Sequence, residues 1–136
     1  GPAGELLALD VATGTPLWRS DPGLSAGFSS LAVLAGRIYA VTMDGTLLLA
    51  DAADGTVLAT RPIPAVAPAM TRLRAVDGRL YGGSAAALFR IDPDSGAVTV
   101  ILDGLDGQWY SGATFAADES GTLYTLRGRT LVAVEE

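Results

Sequence analysis

Apolar and small residues run through this chain in short stretches of five to seven, separated by turn residues, and no window sustains a 3.6-residue apolar period. That pattern predicts strands joined by tight turns and no substantial helix. In the clearest stretch, strands are predicted at Ser29–Ala35, Arg37–Met43, Thr46–Ala52 and Thr56–Arg61. A second set follows at Met70–Val76, Arg79–Ser84, Ala87–Asp92 and Ala97–Leu102. Two strands precede them (Glu5–Val11, Thr15–Ser20) and three follow (Gly112–Ala117, Thr122–Arg127, Thr130–Glu135). At the gaps, Asp44-Gly45, Asp54-Gly55, Asp77-Gly78 and Ser95-Gly96 supply the positive φ of tight hairpins and an Asp or Ser acceptor for the turn.

The strands repeat. Leu6-Leu7-Ala8-Leu9-Asp10 returns as Leu47-Leu48-Leu49-Ala50-Asp51 and as Leu88-Phe89-Arg90-Ile91-Asp92, so the aspartates stand 41 residues apart. A last copy, Leu131-Val132-Ala133-Val134-Glu135, puts a glutamate 43 residues further on. A second phrase, Gly36-Arg37-Ile38-Tyr39, returns at Gly78-Arg79-Leu80-Tyr81 and Gly121-Thr122-Leu123-Tyr124. Antiparallel four-stranded units of about 40 residues are β-propeller blades, which bury their faces by stacking. The predicted class is therefore all-β: propeller blades, about three of them, in an incomplete ring. The expected organisation is a half-blade over 5–21, a blade over 28–61, a blade over 70–102 and a three-stranded blade over 112–136. Residues 1–4 are expected to be a linker, Gly1-Pro2 reading as a protease-cleavage scar.

Ala8-Leu9-Asp10-x-x-Thr13-Gly14-x-x-x-Trp18, with Asp44-Gly45-Thr46-Leu47, resembles the repeat signature of the pyrroloquinoline-quinone-like (PQQ-like) propellers. The docking Trp stands only at Trp18; the matching slots hold Ala59 and Val100. The resemblance implies either a quinone-dependent dehydrogenase or, in the larger branch, a non-catalytic propeller. That branch includes a barrel-assembly lipoprotein of bacterial outer membranes and extracytoplasmic sensor domains of kinases. The enzymes are marked by an adjacent cysteine pair, and this chain has no Cys. The reading is non-enzymatic, with no cofactor and no metal. By resemblance alone it leans extracytoplasmic.

Composition narrows the partners. A net charge of −6 with no Lys argues against nucleic acid, since phosphate contacts need clustered cations. No apolar run is long enough to span a membrane as a helix. Gly23-Leu24-Ser25-Ala26-Gly27 matches the hydrolase nucleophile pattern, but that chemistry needs a His base and the chain has none. The Asp92–Gly96, Asp51–Gly55 and Asp10–Gly14 segments faintly resemble calcium loops; recurrence in each unit favours a shared hairpin turn.

The loops Asp21–Phe28, Pro62–Ala69 and Asp103–Tyr110 differ from one another while the strands repeat, which makes their shared rim the expected place for recognition. The candidate contacts are Phe28, Trp109 and Tyr110, with Arg72 and Arg74, which alternate on one strand face as a possible carboxylate or phosphate grip. Expected partners are a protein or small-molecule ligand. For the open ring, they are missing blades of a longer chain or further copies of this one.

Overall fold

A computed structural model describes residues 4–63, 72–84, 86–105, 115–127 and 129–135. The described residues contain thirteen strands and no helix. β1 (Leu6–Leu9) and β2 (Pro16–Ser20) form a two-stranded sheet. β3 (Phe28–Leu34), β4 (Arg37–Thr42), β5 (Thr46–Asp51) and β6 (Val57–Pro62) form the first four-stranded blade. β7 (Arg72–Val76), β8 (Arg79–Gly83), β9 (Leu88–Ile91) and β10 (Val98–Leu102) form the second. β11 (Phe115–Ala117), β12 (Leu123–Arg127) and β13 (Thr130–Val134) close the series as a three-stranded sheet. Every sheet is an antiparallel meander in chain order, as the turn chemistry predicts.

The hairpins β3–β4 and β7–β8 turn on two residues in the left-handed region, Ala35 (φ 51°) with Gly36 and Asp77 (φ 51°) with Gly78. This conformation matches the right-handed twist of the strands it joins. Alanine is an uncommon occupant of that region.

Among the described residues, three apolar cores lie between sheets rather than within one. Leu6, Ile38, Ala40, Leu48 and Ala50 join the half-blade to the first blade. Tyr39, Val41, Leu47 and Leu49 of the first blade meet Leu73, Leu80, Phe89 and Ile91 of the second. Tyr81 and Leu88 meet Phe115 and Leu123. Successive residues of β4 therefore face opposite neighbours, and β4 and β5 are buried almost throughout. This two-sided burial is why the strands read as nearly continuous apolar runs. β3 and β7 lie against each other across the junction, and Leu73 N donates to Ser30 Oγ at 3.0 Å.

The boundaries differ from expectation in one informative place. β3 begins at Phe28, which pairs with Thr42 and packs against the first core, so this residue belongs to the strand rather than to the loop before it.

Candidate interaction surfaces

The repeated aspartates are spent on their own turns. Asp10 Oδ1 accepts the amides of Ala12 and Thr13 at 2.9 Å each, and Gly14 N returns to Asp10 O at 2.7 Å. Asp92 Oδ1 accepts the amides of Asp94 (2.9 Å) and Ser95 (2.8 Å), with Gly96 N on Asp92 O. Asp51 repeats the arrangement through Ala53 N at 2.8 Å and Gly55 N on its carbonyl. Amide donors favour the ionised carboxylate. The Thr13 amide leads in holding Asp10 below the usual carboxylate range, and the Ser95 amide does so for Asp92. Asp118 goes furthest, to about 2, through the hydroxyl of Ser120 first and that of Tyr124 next. A carboxylate held this way is a poor general base near neutrality.

These turns are also where one blade grips the next. Trp18 lies with its ring against Gly55, where an added Cβ would stand 2.7 Å from the indole, and its Nε1 donates to Ala52 O at 3.1 Å. Ser20 Oγ adds a 2.7 Å bond to Gly55 O. One repeat later the Trp slot is Ala59, and other residues take over. Tyr39 Oη donates to Pro93 O at 2.5 Å, Arg37 Nη1 donates to the same carbonyl at 3.1 Å, and the Arg61 side chain lies over Gly96. Pro93 and Gly96 are the repeat equivalents of Ala52 and Gly55. The junction keeps its acceptor and its glycine and changes its donor.

The rim is anchored at its roots. Ile63 N donates to Gly45 O (2.8 Å), Leu105 N to Ala86 O (3.2 Å), and Met43 N to Gly27 O (2.8 Å). Ile63 and Leu105, the residues that leave the outer strands, are both buried. The second and third inter-blade loops thus have a fixed point near their start, beside the turn of the second and third strands, and the first has one at its end.

The candidate contacts separate in space. Phe28 is half-buried on the wall of an apolar groove of about 500 Å³ between β1 and β3. Arg72 and Arg74 share a strand face, yet Arg72 Nη1 reaches Ser29 O of the preceding blade at 3.4 Å, while Arg74 stacks 5.9 Å from the Phe115 ring centroid of the following sheet. Trp109 and Tyr110 lie outside the described residues. Sequence reasoning did not single out Tyr39, Arg37 and Arg61 as junction residues. The signal was there: Tyr39 recurs as Tyr81 and Tyr124, and Gly55 recurs as Gly96 although the Trp that needs it does not.

Comparison with known proteins decides the family. The family model for the outer membrane protein assembly factor BamB matches residues 2–108. The chain belongs to this PQQ-like propeller family. Among solved structures, the computationally designed Ika8 protein aligns with a TM-score of 0.61 at 19% identity, over 86% of this chain and 35% of that one. The designed Ika4 protein gives 0.61 at 17%, over 89% and 72%. BamB from Moraxella catarrhalis gives 0.58 at 20%, over 96% and 42%. This chain therefore spans about a third of Ika8 and under half of that BamB, and at such identities the likeness speaks for fold. No curated protein matches the chain. In this PQQ-like chain the two complete blades are four-stranded, and Trp18 docks the half-blade on the first of them.

Proposed function

We propose that the chain serves as a non-enzymatic binding and scaffold module, a segment of a PQQ-like propeller that offers its loop rim to a protein or small ligand. The observation that carries this reading is the anchoring of the rim. Loops that share no sequence follow directly on Ile63 and Leu105, which are buried and hydrogen-bonded. A fixed root lowers the ordering cost of any contact made above it. The commitment of the repeated aspartates to turns supports a structural rather than an acid–base role for them. The family description, an outer membrane protein assembly factor, favours protein recognition and an extracytoplasmic setting.

Peptides selected against the folded chain from a displayed library provide the test. Substituting Trp109→Ala and Tyr110→Ala should weaken the selected peptide at least tenfold with the β-sheet circular dichroism unchanged. Full affinity in both variants overturns the rim assignment. The dehydrogenase alternative has its own test: the chain should not retain quinone absorbance through gel filtration after incubation with pyrroloquinoline quinone and calcium.

A further inference from the structure

Two apolar surfaces stand open at opposite ends of the stack, and the repeat supplies the measure of what covers them. Leu31 and Leu73 occupy the same slot of successive blades; Leu73 is 6% exposed and Leu31 is 55% exposed. On the opposite face, Leu47 and Leu88 are fully buried while their equivalent Leu131 is 68% exposed.

In the closed junction, Leu73 and Leu80 of the second blade sit beneath Tyr39 and Val41 of the first. The equivalents of Leu73 and Leu80 are Leu31 and Ile38, which line the 500 Å³ groove together with Leu6 and Phe28. The equivalents of Tyr39 and Val41 are Tyr124 and Leu126; Leu126 is exposed on the outer face of the last sheet beside Leu131. Groove and ridge are the two halves of one blade junction, and this chain carries both.

We propose that the β11–β12 hairpin of a second copy of this chain fills the groove, giving its first two strands to a blade whose last two are β1 and β2. The register is already present. β12 pairs Tyr124 with Ala133 and Leu126 with Leu131 on β13, and Ala8 and Leu6 hold the slots of Ala133 and Leu131 on β1. β1 of one copy takes the place of β13 of the other, an exchange of equivalent strands between copies. The exchange gives up the five-residue β13 for the four-residue β1, and the burial of the groove and the ridge sets the direction.

For these 136 residues by themselves, the repeat arithmetic gives the number of copies. Each copy brings two complete blades and a share in two joint ones, which is three blades per copy. Propeller rings hold about 4–8 blades. Two copies make six, whereas one falls short of that range and three exceed it.

The experiment is light scattering coupled to size exclusion on the 136-residue chain, with Leu31→Asp on the groove and Leu126→Asp on the ridge. Both side chains are exposed, so circular dichroism of each variant should match the parent. The parent should run at twice its 13.9 kDa, and each variant alone at 13.9 kDa. Mixing the two variants should restore a dimer, because one junction of the mixed pair has an intact groove and an intact ridge. Removing residues 130–136 should leave the parent dimeric, since β13 is the surplus strand. A parent of 13.9 kDa overturns the proposal and leaves the groove to a strand from another polypeptide or from elsewhere in a longer one. A dimer that survives both substitutions, or variants that fail to recover on mixing, overturns the groove-to-ridge assignment.

Discussion

The phenol of Tyr39 donates to the carbonyl of Pro93 at 2.5 Å across the junction between the two complete blades, and Arg37 Nη1 shares that acceptor at 3.1 Å. In the preceding junction the equivalent carbonyl, that of Ala52, is met by the Trp18 indole instead. A single turn carbonyl, pointed at its neighbour in each blade, is thus satisfied by whichever residue can reach it. Tyr39→Phe should cost about 1 kcal/mol, the net worth of one hydrogen bond whose acceptor keeps a second donor. Tyr39→Phe with Arg37→Ala should cost more than the sum of the two, because only the pair strips Pro93 O of both donors. Urea unfolding of the four proteins of the cycle measures this.

Gly82 and Phe89 are cross-strand partners, and so are their equivalents Ala40 and Leu48 one blade earlier. A Cβ on Gly82 would lie 2.3 Å from the Phe89 ring, which is fully buried. The larger side chain in one strand is matched by the missing one in the other. Gly82→Ala should therefore destabilise by about 1–3 kcal/mol, the usual cost of overpacking. Adding Phe89→Leu, the pairing of the first blade, should recover most of it. Thermal unfolding checks both, and additive losses would contradict the account.

Ala35 holds φ 51° in the β3–β4 turn, where the equivalent residue is Asp77. Asparagine tolerates that region better than alanine does. Ala35→Asn should stabilise by about 0.5–1 kcal/mol, seen as a melting point higher by a few degrees. An unchanged or lower melting point would mean that the turn relaxes in solution.

Acid should unfold this chain through its turns. Asp10, Asp54 and Asp92 are held below the usual carboxylate range chiefly by turn amides, Asp44 by the Thr42 hydroxyl, and Asp118 down to about 2 by Ser120 and Tyr124. Carboxylates depressed on folding stabilise fully above their unfolded pKa, and the contribution is lost as pH falls through the folded value. Urea midpoints should stay flat from neutrality down to about pH 5, then fall steadily towards pH 2. Asp118→Asn should flatten the lowest part of that fall. A midpoint that rises on acidification would contradict the turn assignment.

The strands were legible because both faces of a blade are covered and the turn residues punctuate every gap. Twice-covered strands read as apolar runs, and Asp-Gly pairs mark their ends. The junctions were less legible. Ala59 in the Trp slot reads as a lost contact, yet Tyr39, Arg37 and Arg61 fill the space from other strands, which a slot-by-slot comparison does not pair. Arg72 and Arg74 read as one grip from their alternation. The face they share lies opposite Leu73, which packs on the first blade; Arg74 stays on that face over Phe115, whereas Arg72, at the start of β7, reaches back to Ser29 O. Phe28 reads as a loop residue because glycine and serine precede it; its pairing with Thr42 makes it the first rung of β3.

Native-state hydrogen exchange, resolved strand by strand, tests the stacked-blade account most directly. Strands covered on both faces should exchange slowest, because opening them requires parting two junctions. β4, β5, β8 and β9 should therefore be the most protected, with the outer strands β6 and β10 faster. Protection that is uniform along the chain, or greatest in β6 and β10, would contradict it.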